Sequence, residues 1–129
     1  MTGVLGVGGV FFKAEDGDAV RAWYRDVLGF AIEDWGGAMF QHPDKGYTVW
    51  SPFKADTGYF APSTQTFMIN LIVEDMDGVL ARAAQAGVTP LGRDDSDPNG
   101  RFAWLLDPAG VKVELWQTDE GGVYYHSGD

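Results

Sequence analysis

Few residues of this 129-residue chain could do chemistry: there are two histidines, no cysteine, and a carboxylate, Glu114, set inside an apolar strand pattern. His42 stands in a turn beside Pro43 and His126 in the C-terminal tail, neither beside a serine or carboxylate that would build a triad, so both read as surface residues. Without cysteine there is no disulfide framework, thiolate nucleophile or zinc ribbon. Asp95-Ser96-Asp97-Pro98-Asn99-Gly100 opens like a calcium loop, but Leu106 holds the twelfth position, where a bidentate glutamate is needed; the run reads as a hairpin turn. Gly6-Val7-Gly8-Gly9 leads into Val10-Phe11-Phe12, a strand pattern and not the helix N-terminus that cradles phosphate. Glu114 remains. Flanked by Val113 and Leu115, with Trp116 nearby, it is a candidate acid/base able to accept a proton. Trp50, Trp104 and Trp116 lie on or beside strand patterns and offer flat surfaces for stacking.

Charge narrows the partners. Nine Lys and Arg stand against nineteen Asp and Glu, a formal net charge of −10. Such a surface repels phosphate backbones and anionic lipid, so neither nucleic acid nor membrane is expected as a partner. It suits a cationic ligand, and the aromatic residues suit a flat one. The longest uncharged run, 57–73, is interrupted by Pro62, Ser63, Thr64, Gln65 and Asn70 and could not span a bilayer. With no cysteine and no leader-like stretch, a cytoplasmic location is expected.

The elements that must position these residues come in two copies. Residues 15–22 read Glu-Asp-Gly-Asp-Ala-Val-Arg-Ala and residues 74–81 read Glu-Asp-Met-Asp-Gly-Val-Leu-Ala, identical at five of eight positions with an offset of 59. Each copy follows a strand-like run (7–13 and 66–73) and opens a helical pattern. Val20, Trp23, Tyr24, Val27 and Leu28 form one apolar stripe, with Asp16 or Asp18 as cap and Gly29 as stop. Val79, Leu80 and Ala83 repeat the plan, with Asp75 or Asp77 as cap and Gly87 as stop. Three short strand patterns follow each helix: 30–35, 38–41 and 47–51 in the first copy, 88–92, 102–106 and 111–116 in the second. Residues 1–56 therefore predict one βαβββ module and 66–118 a second, joined by a linker at 57–65 and followed by an acidic, glycine-rich tail at 119–129.

Two motifs carry a family resemblance: Ala22-Trp23-Tyr24-Arg25-Asp26-Val27-Leu28-Gly29-Phe30, and the run from Phe102 through Asp107-Pro108-Ala109-Gly110 to Trp116. In this placement the chain resembles the glyoxalase, bleomycin-resistance and extradiol-dioxygenase superfamily, the vicinal oxygen chelate proteins. The resemblance implies an α+β fold in which the two tandem βαβββ modules form a curled mixed-sheet half-barrel around a cleft. It also implies a homodimer. It places Trp50, Met68, Asn70, Trp104, Glu114 and Trp116 at the cleft as ligand-binding residues. Metal-dependent members hold a divalent ion on the first and last strands of each module; those positions fall here on Gly9, Met68, Thr48 or Trp50, and Glu114. Only Glu114 is a usual ligand, so no metal and no cofactor are expected. The implied function is binding of a small organic molecule, cationic or aromatic, without the family's catalytic metal. The alternative is a lyase, isomerase or dioxygenase of the same superfamily that uses Glu114 as acid/base or metal ligand; whether the chain is an enzyme stays open at this point.

Overall fold

Both helices begin where a short carboxylate meets the unpaired amides of a first turn. In the computed structural model, which describes residues 3–44 and 46–118, Asp16 accepts from the Ala19 amide at 3.0 Å and starts α1 (Gly17–Leu28). Gly29 ends α1 in the left-handed conformation at φ +76°, which a side chain would strain. Asp75 caps α2 (Met76–Gln85) in the same way, accepting from the Gly78 amide at 3.2 Å. Of each pair of capping candidates, the earlier aspartate does the work.

Four strands form one mixed sheet that does not close: β1 (Met68–Ile72), β2 (Gly92–Asp97), β3 (Gly100–Leu106) and β4 (Lys112–Gln117), in the order β1-β4-β3-β2. β1 runs parallel to β4, while β3 lies antiparallel to both β4 and β2. The second half of the chain is thus strand, helix, strand, strand, strand. Its first hairpin strand starts later than its sequence pattern, at Gly92, and extends through Asp94, Asp95 and Ser96. A sheet edge tolerates this polar run because one side of the strand faces water, and charge there discourages further pairing. Pro98 and Asn99 make the turn, and Gly100, at φ +130°, closes it where an added Cβ would lie 2.2 Å from the Gln117 carbonyl oxygen.

One side of the sheet is covered. Val20, Tyr24 and Val27 of α1 and Met76 and Ala83 of α2 pack with Ala103, Leu105, Val113 and Leu115, all buried, as the core. Among the described residues no helix is long and apolar enough to cross a membrane. The strand patterns at 7–13, 30–35, 38–41 and 47–51 form no strands. An alternating run marks a side chain face that needs cover, but a strand exists only when a second backbone answers its N–H and C=O groups. Here Val4, Leu5, Phe11 and Trp50 are exposed instead. Aromatic contacts hold these runs: Phe30 lies 5.0 Å from Tyr24 of α1 and 5.0 Å from Phe40, and Phe12 lies 6.0 Å from Phe67 of the second half, between ring centroids. The tail at 119–129, His126 with it, lies outside the described residues.

Candidate functional site

Strand alternation sends every second residue to the side of the sheet that the helices leave free. In register, Glu114 stands between Asn70 on β1 and Trp104 on β3, Trp116 between Ile72 and Phe102, and Lys112 beside Met68. Five of the six residues expected at the cleft, Met68, Asn70, Trp104, Glu114 and Trp116, therefore share the helix-free face. The rings of Trp104, Phe102 and Trp116 stand nearly parallel in a row, with centroids 6.3 and 5.9 Å apart and planes 12° and 9° off parallel. The sixth residue, Trp50, is elsewhere. It is 79% exposed and lines a cavity of about 1040 Å³ with Val4, Leu5 and Tyr47; Ile72, the ladder partner of Trp116, also lines it, so that cavity adjoins the Trp116 end of the face. His42 lines the same cavity.

Glu114 is the hub. Only 9% exposed, it accepts at Oε1 from Asn70 Nδ2 at 2.7 Å, and at Oε2 from Trp104 Nε1 at 2.8 Å and from the Tyr59 hydroxyl. A buried carboxylate is tolerated when its lone pairs are met this way. Tyr59 answers in kind: burial first, then the Glu114 carboxylate, push its hydroxyl up to about 12, so it donates and does not ionise near neutral pH. Lys112 Nζ donates to the Tyr59 carbonyl at 2.6 Å and sits 4.9 Å from the Tyr59 ring centroid and 5.8 Å from that of Trp104. At the β2 rim Asp94 is the ladder partner of Phe102; the Ser96 amide, then the Ser96 hydroxyl, hold its carboxylate below the usual range.

Sequence reasoning missed Tyr59, Lys112 and Phe102. Lys112 and Phe102 were available from the alternation that placed Glu114 and Trp104, since each lies two residues away on the same strand. Tyr59 lies in the 57–65 segment, where Pro62 and polar residues suggest a connector. The signal there was aromatic: Phe53, Tyr59 and Phe60 fall close together in the sequence, and rings in a solvated connector are out of place.

Residues 9–116 match the family described as glyoxalase-like domain. The chain belongs to that family. Among solved structures, the glyoxalase-like chain is similar to a protein of unknown function from Agrobacterium tumefaciens str. C58, at 21% identity over 89% of this chain and 99% of that one, with a TM-score of 0.54. It is similar to a structure from the mobile metagenome of V. Pseudocholerae, at 15% identity over 88% and 97% of the two chains, TM-score 0.53. It is also similar to TnmS3, an antibiotic-binding protein from Streptomyces sp. CB03234, at 21% identity over 82% and 89%, TM-score 0.52. At these identities the likeness is one of fold. No curated protein matches the chain at a significant level.

The superfamily's divalent ion does not fit the residues at its positions. Gly9 has no side chain, Met68 offers a thioether, and the remaining position falls on Thr48, a neutral hydroxyl and not a usual ligand, or on Trp50, which has no ligand atom. Glu114 has the right chemistry, but both of its oxygens are engaged by Asn70, Trp104 and Tyr59. Among the described residues, no three His, Cys, Asp or Glu side chains come together as a metal-holding group.

Proposed function

We propose that this glyoxalase-like protein binds a planar aromatic small molecule on the helix-free face of its sheet, without a catalytic metal. The observation that carries the reading is the row of near-parallel rings, Trp104, Phe102 and Trp116, beside a carboxylate whose two oxygens are already engaged by side-chain donors. Phe102 and Trp104, held in register by ladder bonds and partly exposed, present flat apolar area that is ordered before the ligand arrives, with Trp116, 5% exposed, packed behind them; this order lowers the entropy lost on binding. A positive charge on the ligand is favoured by Asp94, the ladder partner of Phe102. The antibiotic-binding description of TnmS3, a chain of the same fold, is in keeping with this reading.

The protein acts as a homodimer in the cytoplasm. Support for the dimer comes from the exposed Val4, Leu5, Phe11 and Trp50 and from an open sheet whose edge strands, β1 and β2, each pair on one side only among the described residues. Sedimentation at micromolar concentration is expected to give about twice the chain mass, and a monomer throughout that range would contradict it. The ligand reading is tested by a thermal-shift comparison of 9-aminoacridine with acridine-9-carboxylate. The cation is expected to raise Tm more than the anion, less so with added salt, and much less in Trp104→Ala. A larger shift with the anion would reverse the charge assignment, and no shift with either would contradict the site.

A further inference from the structure

The sheet supplies two of the three donors to Glu114, and Tyr59 is the third. Asn70 and Trp104 reach the carboxylate from neighbouring strands whose register is fixed. Tyr59 reaches it from a segment of turns that is pinned independently, by Ser63 Oγ on the Gly110 carbonyl and Gln65 Nε2 on the Ala109 carbonyl at 3.2 Å. Tyr59 itself is 40% exposed although its hydroxyl ends on a buried group.

Its phenol is received as a bound molecule would be. The hydroxyl meets an anionic acceptor, Lys112 Nζ stands 4.9 Å from the ring centroid, Trp104 presents a ring at 6.5 Å and 88°, and Phe53 stacks at 5.8 Å and 17°. An acceptor for the O–H, a cation on the π face and rings at edge and face are the means by which a protein holds a neutral phenol. A cationic ring is better received over Phe102 and the adjoining edge of Trp104, beside Asp94, than at the Tyr59 position, which Lys112 already flanks.

We propose that Tyr59 is an internal stand-in for ligand: the Glu114, Lys112 and Trp104 end of the helix-free face is a subsite for a phenolic hydroxyl, and a phenol enters it by displacing the Tyr59 side chain. The proposal rests on the reading of that face as a ligand surface. Bonding is conserved in the exchange. The ligand O–H replaces the Tyr59 O–H on Glu114, Lys112 keeps a ring beside it, and the freed tyrosine hydroxyl goes to water. A ligand without the hydroxyl would leave Glu114 one donor short under a dry ring, which is the strongest form of discrimination a polar site has. Because Tyr59 is always present, it lowers the apparent affinity by the fraction of chains in which it is seated. Its removal therefore tightens binding, which a merely structural residue would not do.

The test is calorimetric titration of the full chain with 2-naphthol and 2-methoxynaphthalene, which share a ring system and differ in the hydroxyl proton. 2-Naphthol is expected to bind wild type about tenfold tighter than its methyl ether. Tyr59→Phe and Tyr59→Ala are each expected to tighten 2-naphthol by about tenfold more, with little gain for the ether. In Tyr59→Ala, p-cresol, which is the tyrosine side chain cut at Cβ, is expected to restore Tm where toluene does not. Tyr59→Phe keeps the ring, so the comparison survives if the alanine variant folds poorly. Equal affinity for the two naphthalenes, weaker 2-naphthol binding in Tyr59→Phe than in wild type, or binding of 9-aminoacridine alone would overturn the phenol subsite and leave the face as a ligand surface. No binding of either naphthalene or of 9-aminoacridine to any form would overturn both.

Discussion

Two buried carboxylates in this molecule each take a tyrosine hydroxyl, and the rest of their wiring sets them apart. On the helix side, Asp107 accepts from Tyr24 at 2.6 Å and from the backbone amides of Ala109 and Val111 at 2.8 Å each. On the helix-free side, Glu114 accepts from Tyr59 and from the side chains of Asn70 and Trp104. The amide donors of Asp107 belong to the turn between β3 and β4, so those two bonds are lost only when that turn unfolds. The donors of Glu114 are side-chain atoms, which can rotate away with every strand in place. A carboxylate wired to backbone holds a fold together; one wired to side chains can change partners, and that is what a binding site needs.

Stability measurements can break this contrast. The largest effect is expected from Asp107→Ala, which strips partners from a buried tyrosine, a buried amide and a part-buried one; urea unfolding should show a loss of about 3 kcal/mol or more. A loss under about 1 kcal/mol would mean that Asp107 does not tie α1 to the sheet. Removing only the hydroxyls sharpens the comparison. Tyr24→Phe is expected to cost about 1.5 kcal/mol, the value of a hydrogen bond to a charged group, and Tyr59→Phe less than about 1 kcal/mol because the ring is part exposed. Equal losses would erase the difference between the two sides.

The smallest effect is in alkali. Burial, followed by Asp107, pushes the Tyr24 hydroxyl far up from its ordinary value of 10.0, and Tyr59 rises to about 12. A raised folded-state value means that the folded chain holds its proton more tightly. The linked stability is whole below pH 10 and falls as pH climbs through and beyond the range of 10 to 12. Unfolding curves across that range are expected to flatten more in Tyr24→Phe than in Tyr59→Phe; the reverse order would assign the tighter proton to the wrong face.

The sequence was legible where local chemistry decides the outcome. Aspartate caps, the stop at Gly29 and the apolar stripe through Val20, Tyr24 and Val27 gave both helices, because a cap and a period act within a few residues. The Asp107-Pro108-Ala109-Gly110 turn and the alternation through Glu114 and Trp116 put five of six candidate cleft residues on one face. What stayed illegible depends on a partner distant in the chain. The runs at 7–13 and 47–51 carry the β-branched and aromatic residues of strands but meet no ladder partner among the described residues. Likewise, nothing local to Tyr59 announces that its hydroxyl ends on a carboxylate 55 positions away.

On the proposed reading, the helix-free face binds a planar aromatic molecule with its own side chains and no metal. Titration of EDTA-treated protein with 9-aminoacridine, followed by tryptophan fluorescence, tests it most directly. The account predicts saturable quenching at one ligand per chain, unchanged by later addition of zinc or nickel, and weakened about tenfold or more in Trp104→Ala. Quenching that appears only after a divalent metal is added, or that persists undiminished in Trp104→Ala, would contradict it.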